Sequence, residues 1–318
     1  MERDHILDDL LSDAALVDLS RALGDDYAKY GVNLPDDPSD ALIEGYQAGK
    51  QRYRKPKHPP DRFIKKWLQI RNSALSRGRA VSSGLTIDVL KTLDVSRCPV
   101  SLVLLTYGTL GPSDWSVDRM NNNGAYALGN LAIISTGVNK AKGIKSIHEV
   151  RTLSEGAATV DGLTPKQWAR VAALMYGPWV VEYPEDKWPV RQVARMPELS
   201  FRAAEQTFQD VLVRYATSPV KRIRDDKAVF LQRLPNHELR RKARGLMNAI
   251  SERAPSLESP YDVWFDDGLF GKYQGFYGSL YGATAGMTTS VLGDSYRNFG
   301  LPEHILTELQ FPKRGYLN

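Results

Sequence analysis

Residues 114–143 read DWSVDRMNNNGAYALGNLAIISTGVNKAKG, and the fold turns on how this stretch divides into elements. WSVDRM can form a strand, and NNNGAY supplies turn chemistry, with Asn-Gly at 123 and 124. Just upstream, CPVSLVLLTYG carries a β-type apolar run. After GNLAIIS, the segment TGVNKAKG is expected to be helical and to end at Gly143, since glycine accepts the conformation that closes a helix. The expectation is strand, strand, helix: a compact ββα unit. Any hairpin followed by a helix shares that pattern, so spacing alone does not assign a function.

Working outward, charge changes sign along the chain. Met1 to Ala48 holds twelve acidic residues against Arg3, Arg21 and Lys29, whereas Gly49 to Lys91 holds twelve basic residues against Asp61 and Asp88. Such a switch suggests a boundary near residue 49. In the acidic part, Ile6, Leu10, Ala14 and Val17, with Leu7 and Leu11 beside them, recur at helical spacing, and the helix is expected to stop near Gly24. LPDDPSD reads as a loop leading to a capped helix. In the basic part, three prolines break GKQRYRKPKHPPD. A helix then starts with Asp61 as N-cap, carrying Phe63, Trp67, Ile70 and Ala74 on one face and Lys65, Lys66, Arg71, Arg77 and Arg79 elsewhere. A further helix begins near Thr86.

Beyond Lys145 the pattern is helical. LTPKQW has Thr164 as N-cap, Pro165 at N1 and Gln167 at N3, a capping box. FRAAEQTFQDVLVRYA and NHELRRKARGLMNAISERA are two more helices, the second with Leu239, Ala243, Leu246 and Ile250 as its apolar stripe. Nine basic and three acidic residues lie between Lys221 and Arg244, a second electrostatic footprint. In the segment 261–286, Phe270, Tyr273, Tyr277 and Tyr281 share a face and Gly271, Gly275, Gly278 and Gly282 another. Stacking on single-stranded nucleic acid is one use of such rings; close helix packing in a core is the favoured expectation.

The 318 residues carry a net charge of +5, a mild lean toward anionic partners. One cysteine, Cys98, excludes an internal disulfide framework and a four-cysteine zinc site, and suits a reducing cytoplasm. The N-terminus is acidic where a secretory signal would be basic, and no apolar run reaches transmembrane length. A soluble cytoplasmic protein with no membrane partner is the expectation. The architecture expected is α+β, mainly α-helical: an acidic helical segment 1–48, a finger domain 49–152 with its preceding basic helix, and a helical domain 153–318 without an assigned role.

Asp118-Arg119, Gly124-Ala125-Tyr126, Asn130-Leu131 and Asn139-Lys140-Ala141-Lys142-Gly143 together resemble the HNH endonucleases, a branch of the His-Me finger superfamily, in the phage and bacterial form with Asp-Arg at the start. The basic helix, Leu85-Thr86 and Cys98-Pro99-Val100 match the lead-in, so the resemblance spans about residues 60–145. It implies a ββα-metal finger acting on nucleic acid, double-stranded DNA foremost. Asp118 and Asn139 would hold one divalent ion, Mg²⁺ or Mn²⁺, by hard oxygen donors. Asn130 would brace the loop, and Lys140 and Lys142 would touch phosphate, as would the cations of the preceding helix.

Two departures stand out. The general-base His of active relatives is Arg119 here; a guanidinium stays protonated and cannot activate water, though it can clamp phosphate. His58, His148 and Asp114 are the nearest substitutes. The zinc knuckle of many HNH proteins is also incomplete. Cys98 stands at its first position, but Ser101, Ser135 and Val138 stand where further ligands would fall, so no structural zinc is expected. Three functions remain open: a metal-dependent endonuclease hydrolysing phosphodiesters in DNA, a catalytically silent nucleic-acid-binding module, and a helical protein-interaction scaffold.

Overall fold

The computed structural model describes residues 13–54, 59–197 and 199–292. Ile6, Leu7, Leu10, Leu11 and His58 lie outside them. The chain is mainly helical, with a single two-stranded antiparallel sheet among the described residues, and it divides into two compact units. One holds residues 13–94 with 123–128; the other holds 95–122 with 129–292. The sequence boundaries expected at 48/49 and 152/153 fall inside helices.

In the first unit, α1 (Asp13–Lys29) and α2 (Asp40–Arg52) form a hairpin against α3 (Arg62–Leu75), followed by the short α4 (Ile87–Thr92). Ser39, Asp61 and Thr86 cap α2, α3 and α4 with their side-chain oxygens. Contrary to the expected stop near Gly24, α1 runs on to Lys29. Gly24 serves close approach instead. A Cβ there would lie 2.1 Å from the Leu42 carbonyl oxygen, and one on Gly45 would lie 2.0 Å from that of Arg21, so the two glycines let α1 and α2 touch backbone to backbone. The buried stripe is therefore Leu23 and Tyr27, packed on Leu42 and Leu68, while Val17 is exposed. Trp67 closes this core and donates its indole N–H to the Leu85 carbonyl at 2.7 Å.

In the second unit, β1 (Trp115–Arg119) pairs with β2 (Leu131–Ser135), Asp118 opposite Ala132. The helix α5 (Thr136–Lys142) follows at once, capped by Ser135 and closed by Gly143 at φ 49°. The apolar run 98–107, expected as a strand, is not one. Leu102 takes φ 61° and turns the chain, leaving only bridges from Arg97 to Leu104 and from Thr106 to Asp114. The second strand of the ββα arrangement is Leu131–Ser135, buried at every position.

The helices α6 (Ile147–Glu155), α7 (Pro165–Glu182), α8 (Ala204–Thr217), α9 (Lys221–Arg233), α10 (His237–Arg253) and α11 (Asp267–Ala283) complete this unit. Thr164 and Gln167 form the capping box of α7. Gln192, Gln206 and Gln209, none of them exposed, serve the largely buried non-helical residues 190–194: Gln192 N donates to Gln209 at 2.8 Å, and Gln209 donates to the Val190 carbonyl at 2.8 Å. On α11, Phe270 and Tyr273 are buried as a core face requires, but Tyr281 is exposed. The glycine face does not serve close packing: a Cβ on Gly271, Gly275, Gly278 or Gly282 would meet nothing within 4 Å among the described residues. No helix among the described residues is long and apolar enough to cross a membrane.

Candidate functional site

Alternation on β1 sends Trp115 and Val117 into the core and Ser116 and Asp118 to the opposite face. Residues three apart share a helix face, so Asn139 and Lys142 of α5 meet that second face together. Asn139 donates its amide to Ser116 Oγ at 2.7 Å. Lys142, fully buried, brings its ammonium to within 3.0 Å of Asp118 Oδ2. That approach is a charge contact rather than an aligned hydrogen bond; the aligned ones run from Nζ to the Arg119 carbonyl at 2.9 Å and Asn122 Oδ1 at 2.8 Å. Burial pushes the Asp118 carboxyl up and the Lys142 ammonium down, and each partner's charge pulls the other back.

The eleven residues joining β1 to β2 are held by Asn130, which is fully buried. Its Oδ1 accepts from Asn121 N at 2.7 Å and its Nδ2 donates to the Asn121 carbonyl at 2.9 Å, as a neighbouring strand would. Asn122 ties the same loop to the end of α5 through the carbonyls of Gly143 and Lys145, both at 3.3 Å.

The positions where the resemblance implies zinc-knuckle ligands converge at the Ser135 end of the β1–β2 pair. Cys98 Sγ, buried, accepts from Ser101 N at 3.5 Å and Ser135 N at 3.3 Å. The hydroxyls of Ser101 and Ser135 are 3.5 Å apart, and Ser135 Oγ accepts from Val138 N at 3.4 Å. A thiol and two hydroxyls make a hydrogen-bonded knot where four zinc ligands would sit.

The expected phosphate contacts divide. Lys65, Arg79 and Lys140 are exposed and Lys66 is partly buried. Arg71 is committed to Asp26 and lies over the Trp67 ring at 4.3 Å, bracing α3 on α1. Arg77 donates to Ser73 Oγ at 2.6 Å and Tyr126 Oη at 3.2 Å. Lys142, expected at phosphate, is instead the buried partner of Asp118. The exposed cations Lys221, Arg222 and Arg224 of α9, with Arg241 and Arg244 of α10, form the second basic stretch.

Of the two described substitutes for the base, Asp114 is unsuited to that work. Asp114 accepts from Thr106 Oγ1 at 2.6 Å, Thr109 Oγ1 at 2.7 Å and Leu110 N at 2.7 Å, and the two threonine hydroxyls chiefly hold its pKa below the ordinary value. A weakened carboxylate is a poor proton acceptor. His148 is turned into an aromatic cluster, Nε2 3.1 Å from Asp186 and its ring 5.3 Å from that of Trp179.

A divalent ion does not fit this arrangement as it stands. Mg²⁺ wants hard oxygens at about 2.0–2.1 Å in near-octahedral order, whereas Asp118 faces an ammonium and Asn139 turns its NH₂ to Ser116. The described residues include no group of three or more His, Cys, Asp and Glu able to hold a metal. No family model, curated protein or solved structure matches this chain.

Proposed function

We propose that the chain is a nucleic-acid-binding protein built on a finger of the HNH type, whose hydrolytic centre has been rewired into a binding module. The meeting of Cys98, Ser101, Ser135 and Val138 carries the finger reading. Their positions are the ones the resemblance implies for zinc ligands, and Ser135, more than thirty residues from Cys98 and Ser101, meets both of them. Silence in hydrolysis follows from the Asp118–Lys142 pair and from Arg119 in place of a base. The partner favoured is double-stranded DNA, met by exposed cations such as Lys140, with affinity that falls steeply as salt rises through counterion release.

A second reading, a Mg²⁺- or Mn²⁺-dependent endonuclease, is favoured by one observation: Asp118 and Asn139 project from adjoining elements, β1 and α5, into the same seam. Incubation with supercoiled plasmid and either ion separates the two. Retarded but uncut DNA supports the binding module. Nicking that disappears with EDTA, in Asp118→Ala and in Asn139→Ala establishes the endonuclease. Absence of retardation even at low salt defeats both and leaves the protein-interaction scaffold.

A further inference from the structure

Lys142 is fully buried on a seven-residue helix, and its head meets three oxygens of different kinds from one short stretch: a carboxylate at Asp118, a carbonyl at Arg119 and a side-chain amide at Asn122. Carboxylate, carbonyl and amide oxygen are the donor set proteins present to hard cations. Here they surround an ammonium at 2.8–3.0 Å, hydrogen-bonding distances too long for a bound Mg²⁺. The ammonium donates to the Arg119 carbonyl and to Asn122 Oδ1 and meets the Asp118 carboxylate as a charge contact, so the cage is matched in charge. Asn122 holds the cage closed from outside by donating to Gly143 and Lys145.

We propose that the Lys142 ammonium is the finger's own cation, held in the three-oxygen cage of Asp118, Arg119 and Asn122 where a finger of this type takes up a divalent ion, so that the folded finger neither needs nor admits a metal. The proposal rests on the finger reading only for the statement that a cation belongs beside Asp118. The cage exchanges a diffusible ion for a covalently tethered one, which chelators cannot remove. With the aspartate compensated at all times, β1 stays attached to α5 whether or not nucleic acid is bound.

The test uses the full chain without nucleic acid, so its failure is distinct from a failure to bind DNA. Mn²⁺ uptake is followed by loss of the free-ion spin-resonance signal, and thermal unfolding is followed with and without EDTA. The wild type is expected to take up no stoichiometric Mn²⁺ and to melt at the same temperature in both buffers. Lys142→Ala is expected to melt lower and to take up Mn²⁺ at least about tenfold more tightly than the wild type, an uptake lost on adding Asp118→Asn. Where Lys142→Ala does not fold, Asp118→Asn/Lys142→Met, which removes both charges, is expected to melt above Lys142→Met. Two results overturn the proposal: wild-type protein that binds one Mn²⁺ per chain in an Asp118-dependent way, or Lys142→Met melting together with the wild type.

Discussion

Asn130 shows how much one side chain can do when its amide imitates a strand. With both atoms bonded to the backbone of Asn121 and no exposure to water, it pairs with that residue as a neighbouring strand would. Asn130→Ala strands a donor and an acceptor in the interior, and a loss of about 2–3 kcal/mol in urea unfolding is expected; a change below about 0.5 kcal/mol would mean that water replaces the amide. Asp114 gives a pH signature. Its folded pKa lies below the ordinary 3.8, so its contribution to stability is fully present above that value. The contribution is lost as pH falls through the lowered folded value. Unfolding midpoints of the wild type and Asp114→Asn should therefore converge as pH drops below 3.8 and stand apart above it; a constant gap across that range would refute the assignment. At the residue scale, the resemblance directed attention to Asp118, Asn130 and Asn139, of which Asp118 and Asn139 line the seam and Asn130 holds Asn121. What spacing could not tell is the direction a cation points. Lys140 and Lys142 look equivalent in sequence, yet one is exposed and the other fully buried.

Helix beginnings follow from local chemistry and were accordingly readable. Asp61, Thr86 and Thr164 each place an oxygen on the first free N–H groups, an interaction set within four residues. Elements decided by distant packing were not. The run 98–107 is apolar enough for a strand, but it turns at Leu102 and of its leucines only Leu105 is buried, while Leu104 is exposed. Gly24 has the look of a helix stop, and only the presence of α2 makes it a contact. The two kinds of helical glycine give opposite expectations for one substitution. Gly45→Ala drives a methyl to 2.0 Å from the Arg21 carbonyl and should cost about 2–3 kcal/mol in spite of alanine's better propensity. Gly275→Ala on α11 adds its methyl to open space and should stabilise by about 0.5–1 kcal/mol, as propensity alone dictates. Chemical denaturation of the two variants beside the wild type checks both signs.

At the scale of the molecule, the second unit is fastened by a few polar contacts between residues far apart in sequence. Arg170 of α7 grips both carboxylate oxygens of Asp262 at 2.9 Å and the Val100 carbonyl at 3.0 Å, all buried. Arg170→Met leaves Asp262 charged and without its partner, and a loss of about 3–5 kcal/mol is expected. If Arg170→Met/Asp262→Leu recovers little of that loss, the Val100 contact matters more than the ion pair. Nothing in the sequence marks this arginine among so many others, and the glutamine-lined interior is equally unannounced, because both depend on which segments meet. The first unit has an organisation of its own. Tyr126, carried on the loop between β1 and β2, accepts from Ser82 N at 3.0 Å and donates its N–H to the Ala80 carbonyl at 2.9 Å, so residues 123–128 belong with the N-terminal helices. An expression boundary after residue 94 would thus yield an N-terminal fragment missing a piece of itself. Gene dissection at that point would report instability in the N-terminal half, and the cut would be mistaken for a lesion in the helices rather than the removal of six residues encoded about thirty positions downstream.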